Sequence, residues 1–190
     1  MGKTSSLIIM SAIFATTIFM SCNGSSKEEL GDIRDTIRIM QHNCLRLSLD
    51  KMVCCVPDND SARIDTAQTP YRLVVYVDST KCSPCILSKM YQWNTLIDQT
   101  RAEGNKISYI FIFEPKNDQI EDANFSVESS GLKNRVYLDT AHIFRNDNKF
   151  LPKDSKYHSI LINSRDSILL VGNPKTNDKI RNVFFHIINK

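Results

Sequence analysis

Residues Arg72–Val77 read RLVVYV, a nearly continuous apolar run rich in β-branched side chains, bounded by Pro70 and Asp78. Cys82-Ser83-Pro84-Cys85 follows after a short polar step. No polar alternation marks a solvent side in the run, so it predicts a strand buried on both faces. After the cysteines, Ile86, Met90, Trp93 and Ile97 recur at helical spacing, flanked by Leu87 and Leu96. That period predicts one helix starting at the motif and ending at Gly104. A buried strand feeding a helix confines the chain to architectures in which helices cover a sheet.

The remaining segments extend this pattern. Ile107–Phe113, ISYIFIF, predicts a second buried strand, residues 118–128 a weaker helix, and residues 135–138 a short strand. Residues 158–163 and 167–171 predict a hairpin around Ser164-Arg165-Asp166, closed by Gly172-Asn173-Pro174. Ile180, Val183, Phe184, Ile187 and Ile188 define a last amphipathic helix. Upstream, Leu30, Ile33, Ile37, Met40, Cys44 and Leu47 form a helical stripe, which assigns residues 30–50 to an N-terminal helix. Residues 51–56 predict a short strand ended by Pro57, and residues 58–70 a polar loop. With 190 residues and 42% hydrophobic content the chain holds enough for one core. The expected fold class is α/β, a central mixed sheet between helical layers over residues 51–190.

The first residues carry a different signal. Lys3 precedes Leu7–Met20, about 14 uncharged and mostly apolar residues. That is short of the roughly 20 a membrane-spanning helix needs and suits the core of an export signal. Phe19-Met20-Ser21-Cys22 resembles a bacterial lipobox. The resemblance implies a lipoprotein signal peptide over residues 1–21 and acylation of Cys22. An ordinary signal peptide or an uncleaved anchor is the plainer alternative. Residues 22–29 read as a tether, with Asn23-Gly24-Ser25-Ser26 flexible by composition. Lys27-Glu28-Glu29 resembles the surface-export signal of Bacteroidetes lipoproteins, or else opens a charged helix. These features place the chain in the cell envelope, attached through lipid on Cys22 to a membrane, the outer one on this reading, facing the periplasm or the surface.

Charge narrows the partners. The net charge is +3, with 24 basic and 21 acidic residues interspersed, so no nucleic-acid partner is expected. His42, His142, His158 and His186 show no metal-ligand spacing with cysteine or one another, so no metal is expected.

Six cysteines are present: Cys22, Cys44, Cys54, Cys55, Cys82 and Cys85. Beyond the inner membrane disulfides are permitted. Cys82 and Cys85 form one natural pair, and with Cys22 acylated the other three leave an odd thiol. Adjacent Cys54 and Cys55 are poor partners, because their ring strains the peptide. Cys44 pairs with either of them or is a small buried apolar residue, and the buried residue is the preferred reading.

A Cys-x-x-Cys at a helix start has a defined chemistry. Free N–H groups and the helix dipole stabilise a thiolate on the first cysteine, and Lys81 adds a positive charge beside it. Cys82 is therefore the expected nucleophile and Cys85 the resolving thiol that attacks the mixed disulfide. Pro84 is tolerated in a first turn, where its missing N–H would have no helical acceptor, and Ser83 completes the motif. The cysteine pair itself holds the two electrons as a dithiol and gives them up on closing the disulfide, so no cofactor is expected. Half of a zinc site and a permanently closed structural disulfide are the competing readings; zinc lacks two further ligands at suitable spacing.

The segments LVVYVDSTKCSPC and YHSILINSRDSILLVGNP resemble the thioredoxin superfamily, nearest to TlpA-like, membrane-tethered thiol–disulfide oxidoreductases, including lipoproteins of Bacteroidetes. The resemblance spans residues 71–190. It implies a thioredoxin-like three-layer α/β/α fold and redox chemistry at Cys82 and Cys85. Three positions depart from the family pattern. Lys81 replaces an aromatic residue. The family's cis-proline falls near Tyr157, which leaves Tyr157 and His158 as the substrate-facing residues. Its buried acid falls at Tyr76, which leaves Asp78 and Glu114 as candidate proton carriers unless both are solvated surface carboxylates.

Two functions follow. One is a cell-envelope thiol–disulfide oxidoreductase acting on protein thiols or disulfides, with a separate redox partner that supplies or removes electrons. The other is a non-catalytic thioredoxin-like binding module held rigid by a structural Cys82–Cys85 disulfide.

Overall fold

The structure is a computed structural model that describes residues 25–57, 69–80, 83–104 and 106–190. The expected signal peptide, the expected acylation site Cys22, Lys81 and Cys82 lie outside the described residues. The chain divides into two compact units, residues 1–37 and 38–190. Of the first, the described part is the opening of helix α1 (Ser25–Gln41), which carries both Leu30 and Arg34 on exposed positions. Among the described residues, no helix is long and apolar enough to cross a membrane.

The second unit is built on a six-stranded mixed sheet of order β1-β4-β3-β2-β5-β6. Its strands are β1 (Val53–Cys55), β2 (Tyr71–Val77), β3 (Ile107–Phe113), β4 (Val136–Leu138), β5 (Ser159–Asn163) and β6 (Ile168–Val171). The two seven-residue apolar runs pair in parallel along their full length, from Tyr71 opposite Ile107 to Val77 opposite Phe113. β3 and β4 are also parallel, whereas β2–β5, β5–β6 and β1–β4 are antiparallel. Parallel neighbours require crossover connections. α2 (Ser83–Leu87) and α3 (Asn94–Ala102) supply the first and α4 (Ile120–Glu128) the second. α5 (Ile143–Asp147) and α6 (Asp178–Ile188) complete the helices.

Successive strand residues point to opposite faces. Leu73, Val75, Phe111 and Phe113 share one core with Leu87, Trp93, Ile97, Val127 and Phe184, which come from α2, the turn after it, α3, α4 and α6. Val74, Tyr76, Ile110, Ile112 and Ile160 face the other way and are equally buried. There the ring of Phe144, from α5, lies 4.8 Å from that of Tyr76. Helices therefore cover both faces, in the three-layer α/β/α arrangement expected.

Three local expectations are corrected. The helix after the motif is interrupted: α2 stops at Leu87, and a 3-10 turn, Met90–Trp93, precedes α3. A 3-10 turn has three residues per turn, so Met90 and Trp93 come to the same side, and both are buried. The N-terminal stripe ends early. α1 stops at Gln41, where the side chains of His42 and Asn43 take the carbonyls of Arg38 and Ile39 at 2.7 and 2.8 Å. The chain then runs extended beside the β5–β6 turn, with the Leu45 N–H donating to the Asp166 carbonyl at 2.9 Å. As a result Cys44 is exposed rather than a buried apolar residue. Finally α5, five residues long, carried no periodic signal at all.

Candidate functional site

β2 delivers the chain from the middle of the sheet to Asp78, and α2 begins at Ser83 with Pro84 second. Cys85 is the third residue of α2, and it lines a cleft of about 400 Å³ together with Asp78, Ile86, Met90, Trp93 and His158. Lys89 and Lys175 lie at the same cleft. The Lys175 ammonium sits 5.3 Å from the centre of the Trp93 ring, and burial pushes its pKa down. Because α2 is a single short turn and a half, any thiolate stabilisation at its start comes from first-turn N–H groups rather than a long helix dipole.

Asp78 and Glu114 are both buried, so neither is a solvated surface carboxylate. Asp78 Oδ1 accepts from the N–H of Thr80 at 3.0 Å and from its hydroxyl. Oδ2 faces Arg145 Nη2 at 3.4 Å and His158 Nδ1 at 3.7 Å. Glu114 accepts from the Tyr76 hydroxyl on one oxygen. Its other oxygen accepts from Ser79 Oγ at 3.0 Å and lies 2.8 Å from His142 Nδ1. Burial, and then the Glu114 hydrogen bond, push the Tyr76 hydroxyl pKa far up, so Tyr76 acts as a neutral donor. Arg145 links the two carboxylates, with its Nε 3.4 Å from the Tyr76 hydroxyl and its guanidinium carbon 5.5 Å from the Tyr76 ring centre.

Tyr157 and His158 precede β5 and are both buried. His158 lines the cleft, and its ring centre lies 5.1 Å from that of Tyr76. Burial pushes its pKa below the ordinary value of 6.5. Tyr157 packs under the Lys156 ammonium at 5.1 Å from the ring centre. The structure therefore brings Asp78, Cys85 and His158 to one cleft, with Glu114 one shell behind, joined through Tyr76 and Arg145.

Cys44 is separated from the other remaining cysteines, Cys54 and Cys55. Cys54 and Cys55 lie on β1, at one edge of the sheet. The Cys55 thiol donates to Asn124 Oδ1 at 3.1 Å, and burial, then Cys54, raise its pKa. Cys44 pairs by its backbone with Ser167, beyond the opposite edge. Five inter-strand spacings of about 4.8 Å place the two edges on the order of 24 Å apart. A disulfide tolerates no more than about 7 Å between Cα atoms, so Cys44 cannot bridge to Cys54 or Cys55 within the folded chain.

Arg145 and His142 were missed from sequence. The available signal was Asp139, whose two carboxylate oxygens accept from the N–H groups of Ile143 and Phe144 at 2.8 and 2.7 Å and so hold the start of α5. An Asp just past a strand, followed by apolar residues, is a helix-start pattern.

No protein-family model matches the chain, and no curated protein matches it. Solved structures do. A thioredoxin-like protein in its oxidised form is 10% identical, with a TM-score of 0.45, covering 75% of this chain and 97% of its own. A thioredoxin-like protein from Bacteroides caccae is 14% identical, with a TM-score of 0.45, covering 83% of this chain and 56% of its own. A protein described as a disulfide isomerase, from Bacteroides thetaiotaomicron, is 14% identical, with a TM-score of 0.39, covering 64% of this chain and 72% of its own. The chain spans just over half of the length of two of the structures it matches, at 57% and 56%. The mixed sheet, with helices on both faces and α2 following the central strand at the motif, is the fold class that the sequence resemblance implies. The fold is α/β, a mixed sheet with helices on both faces, and it is similar to these thioredoxin-like structures. In this chain the buried carboxylates follow β2 and β3 directly, and a histidine heads β5.

Proposed function

We propose that the chain is a cell-envelope thiol–disulfide oxidoreductase acting on protein thiols or disulfides, a TlpA-like lipoprotein held to its membrane through Cys22. Cys82 is the nucleophile and Cys85 the resolving thiol, with Lys81, Ser83 and Pro84 shaping the motif and Asp78 and Glu114 serving proton movement. The observation that supports this best is the position of Cys85. It stands on the first turn of α2, at the end of the central strand, in a cleft that it shares with a buried carboxylate and a buried imidazole. A disulfide that only braces the fold needs no such buried titratable groups beside it. The two lysines at the cleft suit substrates with acidic residues near the exchanging cysteine.

The test is the reduction potential of the full chain with Cys22, Cys44, Cys54 and Cys55 replaced by Ser, measured by equilibration with glutathione. A value between about −120 and −270 mV is expected, the range of exchange proteins, and its place in that range indicates the direction of electron flow. A value below about −300 mV would mark a structural disulfide and favour the binding module.

A further inference from the structure

Two buried acceptors face each other at the base of the cleft. His158 is 2% exposed, and its Nε2 lies 2.8 Å from the carbonyl oxygen of Pro152. That oxygen only accepts, so Nε2 carries the ring proton and donates it. Nδ1 of the neutral ring is then a bare lone pair, and among the described residues it has no hydrogen-bond partner. It lies 3.7 Å from Asp78 Oδ2. The backbone holds the ring in place: the His158 carbonyl accepts from the Tyr76 N–H at 2.9 Å, which ties the head of β5 to β2. A buried lone pair beside a buried carboxylate oxygen is unfavourable as it stands. It becomes favourable when a proton arrives on Nδ1, because the imidazolium then pairs with Asp78. Cys85 lines this same cleft.

We propose that Nδ1 of His158 accepts the proton that Cys85 loses when it resolves a mixed disulfide, with Asp78 holding the imidazolium that results. The inference deepens the oxidoreductase reading of the cleft and rests on it. In the step, Cys85 Sγ attacks Cys82 Sγ of the Cys82–substrate disulfide. The Cys82–Cys85 bond forms, the bond to the substrate sulfur breaks, and its electron pair leaves on the substrate thiolate. The Cys85 proton ends on Nδ1. Over both exchanges the protein dithiol loses two electrons to the substrate disulfide. In the reverse direction Nδ1 returns the proton to Cys85.

The groups acting on the ring are Asp78 and Tyr76 from the β2 side, Arg145 from α5 and Asp154 from the segment before β5, while Cys85 of α2 lines the same cleft. Asp78 and Asp154 favour the imidazolium, while burial and Arg145 oppose it. Burial is the largest of these, so the ring rests neutral and able to accept.

The experiment uses the full chain with Cys22, Cys44, Cys54 and Cys55 replaced by Ser. The reduced protein is mixed with an aromatic disulfide whose released thiolate is coloured. Colour then appears in two steps, the first as Cys82 attacks and the second as Cys85 resolves. His158→Gln keeps a donor for Pro152 and removes the base at Nδ1. The expected result is a second step slowed about a hundredfold relative to the first near neutral pH, with the imidazole inflection lost from the pH–rate profile of the second step. A second step of unchanged rate and profile overturns the assignment, although the oxidoreductase reading survives. A wild-type protein with no second step overturns both. If His158→Gln does not fold, the wild-type ring is followed instead by nitrogen NMR through a pH titration. Its midpoint should differ between the reduced and oxidised cysteine pair, and an identical midpoint in both states overturns the proposal.

Discussion

The hydroxyl of Tyr76 donates to Glu114 across the parallel pair β2–β3, with both residues at 5% exposure or less. Removing either partner strands the other in a site with little water. Tyr76→Phe and Glu114→Ala should each cost about 1–3 kcal/mol in urea unfolding. The double variant should cost less than their sum by about 0.5–3 kcal/mol, because the second change removes an already orphaned group. Additive losses would show that the two residues are not coupled.

Asp139 holds α5 through two N–H groups, and α5 presents Arg145 to Asp78. Asp139→Ala should therefore destabilise the chain by about 1–3 kcal/mol. It should also release Arg145, which a shift in the Arg145 side-chain NMR signals would report. Stability lost with those signals unmoved would confine Asp139 to capping.

Stability should depend on pH through His158. The unfolded chain binds a proton at this residue below about pH 6.5. The folded chain resists doing so until lower pH, because burial depresses the pKa. In that window the unfolded state binds more protons, so stability is fully present above pH 6.5 and is lost as the pH falls toward the folded value. Comparing wild type with His158→Gln between pH 7 and pH 5 should show a smaller acid loss in the variant. Parallel curves would remove His158 as the cause.

Gly172 has φ of +126°, and a β-carbon there would collide with the Ile180 side chain. Gly172→Ala should lower the denaturation midpoint, at a cost of about 1–3 kcal/mol from backbone strain alone. A midpoint equal to wild type would mean that this turn relaxes freely.

Peptide mapping after mild oxidation of the folded chain should recover no Cys44–Cys54 or Cys44–Cys55 crosslink within one molecule, since those thiols sit at opposite edges of the sheet. Finding such a crosslink in monomeric protein would contradict the strand order.

Much of this chain could be read from local pattern. RLVVYV and ISYIFIF declare themselves as strands β2 and β3, because short apolar runs rich in β-branched and aromatic residues and bounded by turn residues suit a buried strand. The hairpin β5–β6 follows from two apolar runs around a three-residue polar turn, and α6 from its amphipathic spacing. The Cys82-Ser83-Pro84-Cys85 spacing and its place after β2 are likewise written in the order of residues. What tertiary structure alone decided is which distant groups meet. Tyr76 and Glu114 are 38 residues apart, and Arg145 and Asp78 are 67 apart. A carboxylate in isolation favours water, so its sequence neighbours cannot say whether a fold will bury it and supply donors. The break after Leu87 and the early end of α1 belong to the same class, because the core and the β5–β6 turn, rather than helix propensity, set where those helices stop.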